Sequence, residues 1–404
     1  MRKVNIKIIT LLIYYIIGIV PFYFMMLPGE NGTSVTLQLT STLRITDVFL
    51  SILFIFGVVQ YLKVKERNSL FILLLFFLYL IFSIARNLNT YGVNCFGEYR
   101  YAYIILFLPF WIASTFTRKN VIDTLKYFVV LNLIVPLILY PILSYYSGKG
   151  FDFTLKEESR IFESDISLAV LLSIFVLYIS KKYSIIKISS LPYYILIILS
   201  MIIVLLDSHR SVWLVCIAIL LVLFLKKDIK LSFIKITVII PLLFIITILI
   251  SQYLPSFFNS LEYRAQAYYN PESDGTANWR LLNWEFQILR FYNNPLFGEG
   301  FGAYWGFTEQ RWDIGVMPHN MYVIILAKLG LTGLIIFMTF VLTVLNKFNY
   351  ILKTTKYSAE YGISLIGLIS GIAFITYSVA YSLDTITTWI YFGLALAYLI
   401  NKEP

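Results

Sequence analysis

The chain of 404 residues is 59% apolar and only 13% charged, with a mean hydropathy of +0.80 and a formal charge of +10. An ordinary soluble domain carries roughly 25% charged residues, so a water-soluble globular fold is excluded. The excess of Lys and Arg lies between long apolar runs, where it serves as a membrane anchor and does not call for nucleic acid.

Uncharged runs of about 17 to 25 residues suffice to cross the hydrocarbon core as helices, which alone satisfy their own backbone hydrogen bonds in lipid. The ten-residue alternating segments of a membrane β-barrel are not seen. The first run, Ile8 to Leu27, follows Arg2, Lys3 and Lys7; it is too long for a signal peptide, lacks an A-x-A-like cleavage site and reads as a retained helix. In chain order, helices are predicted at 7–27, 45–62, 69–85, 101–116, 121–146, 164–180, 189–206, 211–225, 231–251, 320–345, 360–379 and 386–400. The expected fold class is an all-α polytopic membrane protein of about twelve transmembrane helices. It divides into a membrane part at 1–251, a long loop at 252–318 and a second membrane part at 319–404.

Lysines and arginines such as Lys63, Lys65, Arg67, Arg118, Lys181, Lys182, Lys226, Lys227, Lys347 and Lys353 all fall on one side of this topology. That asymmetry places both termini in the cytoplasm and the long loop outside. Cys95 falls in an outer loop and Cys216 inside a helix, so no disulfide is expected.

The long loop holds Arg264, Arg280, Arg290 and Arg311 but no lysine. A planar guanidinium grips phosphate or carboxylate through two hydrogen bonds, whereas an ammonium is a point charge. Within the loop, Thr276 to Phe291 reads as an amphipathic helix, capped by Asp274 or Thr276 and closed before Pro295. Arg280, Asn283, Gln287 and Arg290 form its polar stripe, with Trp279 and Trp284 suited to the headgroup region. Its arginines admit two readings, contact with lipid phosphates or an anion site. The glycines of Gly298-Glu299-Gly300-Phe301-Gly302 follow a helix and not a strand, so they do not make a dinucleotide fingerprint; a tight turn returning the chain to the membrane is expected.

The chain has two histidines. His319 stands in Pro318-His319-Asn320-Met321-Tyr322 at the membrane boundary, where an imidazole can exchange a proton near neutral pH; a helix cap is the alternative. His209 stands in Asp207-Ser208-His209-Arg210, a short outer turn that an Asp207 to Arg210 ion pair could close. Lys328, inside the following helix, should meet an acid or line a polar cavity.

These segments resemble the bacterial O-antigen ligase and O-antigen polymerase superfamily. The resemblance rests on Ser208-His209-Arg210, on Asn278-Trp279-Arg280 through Pro295 to Gly302, and on Pro318 to Tyr322 leading to Gly330-Leu331-Thr332-Gly333, with a weaker match at Arg160-Ile161-Phe162. It implies a glycosyltransferase of the bacterial cytoplasmic membrane that moves a glycan from an undecaprenyl-pyrophosphate carrier, on the outer face, to an acceptor hydroxyl. It assigns Arg210 and Arg280 to the pyrophosphate and His319 to the base, with Arg160, Arg264, Arg290, His209, Asn320 and Tyr322 as further substrate-binding candidates. Lys328 departs from the acidic residue relatives often carry there. The implied partners are the lipid-linked donor, the glycan acceptor and membrane lipid, with a chain-length regulator and a flippase as further candidates. With no DxD-like acidic cluster in the outer loops, neither metal nor other cofactor is expected. A polymerase of lipid-linked repeat units is the leading expectation and a ligase the alternative; a flippase-type transporter would need two pseudo-symmetric halves, which the sequence does not show.

Overall fold

The computed structural model describes residues 6–16, 38–40, 43–64, 67–92, 94–96, 103–146, 161–207, 209–229, 275–302, 318–381 and 385–401. The predicted helix at 231–251, Arg160, Arg264 and most of the predicted loop lie outside them.

The described chain is helical: α1 Ile6–Tyr14, α2 Ile45–Tyr61, α3 Asn68–Tyr91, α4 Phe107–Thr115, α5 Arg118–Tyr146, α6 Ser164–Lys182, α7 Ser190–Asp207, α8 Arg210–Leu225, α9 Gly275–Asn293, α10 Met321–Thr354, α11 Ser358–Tyr377 and α12 Ile386–Ile400. One small antiparallel hairpin, Gln38–Thr40 with Leu43–Arg44, precedes α2. Six helices are long and apolar enough to cross a membrane, namely α3, α5, α6, α7, α10 and α11. The shorter apolar helices are α2, α8 and α12.

The chain is thus a multi-pass membrane protein with its polarity arranged for lipid. α6 and α12 are apolar on every side and buried on nearly every side, as helices at the centre of a bundle must be. Around them α2, α3, α7 and α8 turn Phe56, Leu78, Ile198 and Leu221 outward, the surface a bilayer covers.

One end of the bundle is tied by charge. Asp228, just beyond α8, accepts hydrogen bonds from Lys182 at 2.6 Å, from Tyr361 at 3.1 Å and from Tyr183. Arg118 pairs with Glu360 at 3.2 Å, and Lys226 bonds Asn349. The ends Lys182, Leu225, Thr354 and Ser358 gather here, so Ser164, Asp207, Arg210, Met321 and Tyr377 mark the opposite end.

α10 is not the uninterrupted helix the sequence suggests. At Gly330 the backbone turns to φ 66° and ψ −168°, and the helix breaks. A break inside a membrane helix strands carbonyls and amides that lipid cannot satisfy. Residues 295–302 supply the partners. Glu299 and Gly300 donate their amides to the carbonyls of Ala327 (2.9 Å) and Lys328 (2.8 Å), while Leu331 and Thr332 donate to Pro295 (2.9 Å) and Leu296 (3.1 Å). The expected tight turn leading to Gly298–Gly302 is here seated in the break as a plug. A Cβ on Gly298 would lie 2.5 Å from the Lys328 carbonyl carbon, and one on Gly330 would lie 2.5 Å from the Gly298 nitrogen, so two glycines face each other where backbones touch. From α3, Asn87 bonds the carbonyls of Glu299 (2.6 Å) and Phe301 (3.2 Å), and Arg86 bonds that of Gly298 (2.8 Å).

Candidate active site

α9 covers the predicted amphipathic segment and ends where Pro295 forbids another turn. Its polar stripe faces the protein: Asn283 and Gln287 are buried, while Leu281, Leu282 and Leu289 are exposed. An amphipathic helix in water or at a headgroup layer would show the reverse to solvent. On the same helix Arg280 is half-buried and lies over the Tyr381 ring. Trp279, expected at the headgroups, is buried beside His319 instead.

His319 is placed by the start of α10. The Asn320 side chain caps that helix, accepting the amides of Tyr322 at 3.0 Å and Val323 at 3.1 Å, and the Met321 amide donates to the carbonyls of Ser378 (3.0 Å) and Tyr381 (3.1 Å). The Tyr322 hydroxyl donates to the Ile375 carbonyl at 2.9 Å. In this structure Asn320 and Tyr322, both substrate-binding candidates, thus act as cap and strut.

The imidazole of His319 lies between Trp279 (5.7 Å between ring centroids) and Tyr381 (6.0 Å), and the Arg280 guanidinium sits over the same Tyr381 ring at 5.5 Å. The Arg280 Nε is enclosed by protein and makes no hydrogen bond among the described residues. Burial, then the neighbouring Arg280 charge, pushes the His319 pKa down to about 4, so the ring is neutral at pH 7 and able to accept a proton.

The turn between α7 and α8 is built around the segment following Arg160. Both carboxylate oxygens of Asp207 are used: one accepts the amides of Ile161 and Phe162 at 3.3 Å each, the other the Ser167 hydroxyl at 2.8 Å. His209 is buried with Nε2 at 3.0 Å from the Phe162 carbonyl. Asp207 and His209 therefore hold residues 161–162 against the turn, and Arg210 opens α8 directly beside them. A continuous path joins this turn to His319. Phe162 leads to Ser164 and Asp165, both bonded to the Tyr377 hydroxyl at 2.6 and 2.7 Å, and Tyr377 stacks on Tyr381 at 4.6 Å with ring planes 10° apart.

Arg290 lies elsewhere. It makes a two-pronged ion pair with Glu299, one contact at 2.8 Å, and bonds Gln287 at 3.4 Å, tying the end of α9 to the plug. Lys328 is buried at the α10 break. Tyr377, Tyr381, Arg86 and Asn87 were not among the sequence candidates, and Asp207 was considered only as a possible ion-pair partner of Arg210. Asp207 stood beside a motif and could have been weighed as a backbone acceptor; the tyrosines, two among 31, carry no local signal.

No curated protein matches the chain. Residues 195–338 match the family model described as O-Antigen ligase, a segment that runs from α7 past the α10 break and contains Arg210, Arg280, the plug and His319. That segment, about a third of the chain, is similar to an O-antigen ligase domain, and the similarity supports the O-antigen ligase and polymerase superfamily.

Proposed function

We propose that the protein is a membrane glycosyltransferase that polymerises undecaprenyl-pyrophosphate-linked repeat units, joining glycan to an acceptor hydroxyl on the outer face of the cytoplasmic membrane. The observation carrying this reading is the pairing of Arg280 with a neutral His319 at the bundle end opposite the Lys-rich one. In the step envisaged, the acceptor oxygen attacks the anomeric carbon as its proton passes to His319. The bond from that carbon to the pyrophosphate oxygen breaks, and the leaving group departs with the electron pair. Negative charge grows on the pyrophosphate, so guanidinium groups from Arg280 and Arg210 stabilise the transition state more than the ground state. Donor binding also offsets the Arg280 field on His319, raising its proton affinity when the base is needed. No metal is invoked, since the arginines supply the positive charge.

The orientation follows from lysine placement: both termini cytoplasmic, about twelve spans, and a loop at 252–318 between the membrane parts 1–251 and 319–404. Arg160 would join the site from its place next to Ile161, and Arg264 from the loop. A ligase passing finished glycan to another acceptor is the second reading, and the description of the matched family favours it.

Purified protein given only lipid-linked donor tests both. Ladders of increasing length support the polymerase; product that forms only when a second acceptor lipid is added supports the ligase. Lipid crossing vesicles without any glycosidic product overturns both. His319→Ala should lower turnover about 10²- to 10⁴-fold and Arg280→Ala about 10²- to 10³-fold. Wild-type turnover in both variants, and in Arg210→Ala, would refute the site.

A further inference from the structure

We propose that Tyr381 is a positioning residue for Arg280 and His319, its ring holding the guanidinium beside the imidazole. It rests on reading that pair as catalytic. Arg280 comes from α9 and His319 from the segment before α10, and the two meet through a shared neighbour. What both touch is Tyr381, at 5.5 Å and 6.0 Å. A guanidinium over an aromatic face is attracted by the ring quadrupole, which fixes direction without using the N–H donors a pyrophosphate needs.

The ring itself is braced. It stacks in parallel on Tyr377, whose hydroxyl bonds Ser164 and Asp165 at the start of α6, and the Tyr381 carbonyl accepts the Met321 amide at 3.1 Å. Tyr381 thus refers the position of Arg280 to three elements, α6, α10 and α11. The role belongs to the aromatic face, so phenylalanine should replace tyrosine and an aliphatic residue should not.

In purified full-length protein, Tyr381→Leu should lower kcat about tenfold with a smaller change in the donor KM, and Tyr381→Phe should stay near wild type. Peptide-resolved phenylglyoxal labelling provides a measure independent of activity. Arg280 should label several-fold faster in Tyr381→Leu than in wild type or Tyr381→Phe, whereas Arg290, paired with Glu299, should not change. If Tyr381→Leu fails to fold, Tyr381→Met, of similar bulk and without a ring face, makes the same comparison. Unchanged Arg280 labelling and kcat in the aliphatic variant, or a loss in Tyr381→Phe equal to that in Tyr381→Leu, would overturn the proposal. Absence of glycosyl transfer in the wild type would instead refute the proposed function, and the labelling would still decide whether Tyr381 positions Arg280.

Discussion

In the proposed reaction His319 is the base, and two causes acting in the same direction lower its proton affinity: burial first, the Arg280 charge second. A base works in its deprotonated form, so activity should persist as pH falls through the ordinary histidine range and decline only as pH approaches about 4. The acid limb of kcat/KM reports the free enzyme, and a limb near 6.5, the usual histidine value, would contradict the placement. Arg280→Gln removes the second cause, so its acid limb should move to higher pH while burial keeps it below the ordinary value. Arg290 gives a contrasting case. If it serves Glu299 and not substrate, Arg290→Ala and Glu299→Ala should lower the melting temperature alike, with the double variant little worse than either, since partners in one ion pair are coupled. A donor KM raised by Arg290→Ala and untouched by Glu299→Ala would return Arg290 to the substrate.

At the scale of elements, the broken α10 and its plug set where α9 can lie, since the plug continues directly from α9. Gly298 and Gly330 both have positive φ, where a side chain is strained by roughly 1–3 kcal/mol, and a Cβ at either would meet backbone and not a flexible side chain. Gly92 shares the positive φ, 57°, but a Cβ there would meet nothing within 4 Å. Gly330→Ala should therefore lower the melting temperature more than Gly92→Ala; equal effects would mean that the plug is not seated in the break. Asn87→Ala, which leaves two plug carbonyls without that donor, should fall between them. Helix α9 and its polar stripe were legible in the sequence because spacing along one helix fixes one face. Which way that face turns was not, since inward and outward stripes have the same period and only packing against α10 decides. The plug was illegible for a related reason: its partners, Asn87, Ala327 and Leu331, are remote in sequence, and the glycines alone fit any tight turn. Asn320 as a cap could have been read from Pro318-His319-Asn320 before an apolar run, but the motif drew it towards substrate.

The whole molecule has two chemically different ends. Asp228 gathers Lys182, Tyr183 and Tyr361 at one, and Arg280, His319 and Arg210 stand at the other, about a membrane thickness away along helices such as α6 and α11. Lysine placement already divides the chain in this way, and the packing agrees with it, since Lys182 and Lys226 both reach partners at the Asp228 end. A lipid-linked donor would be met at a membrane boundary, and the proposed outer-face reaction requires the His319 end to be the outward one. In a variant lacking Cys95 and Cys216, single cysteines at exposed helix ends report this directly. Tyr146→Cys, at the end of α5, should react with a membrane-impermeant maleimide on intact cells, whereas Tyr357→Cys, between α10 and α11, should react only after permeabilisation. The opposite pattern would turn the candidate site towards the cytoplasm and defeat the proposed outer-face reaction, whatever activity the purified protein showed.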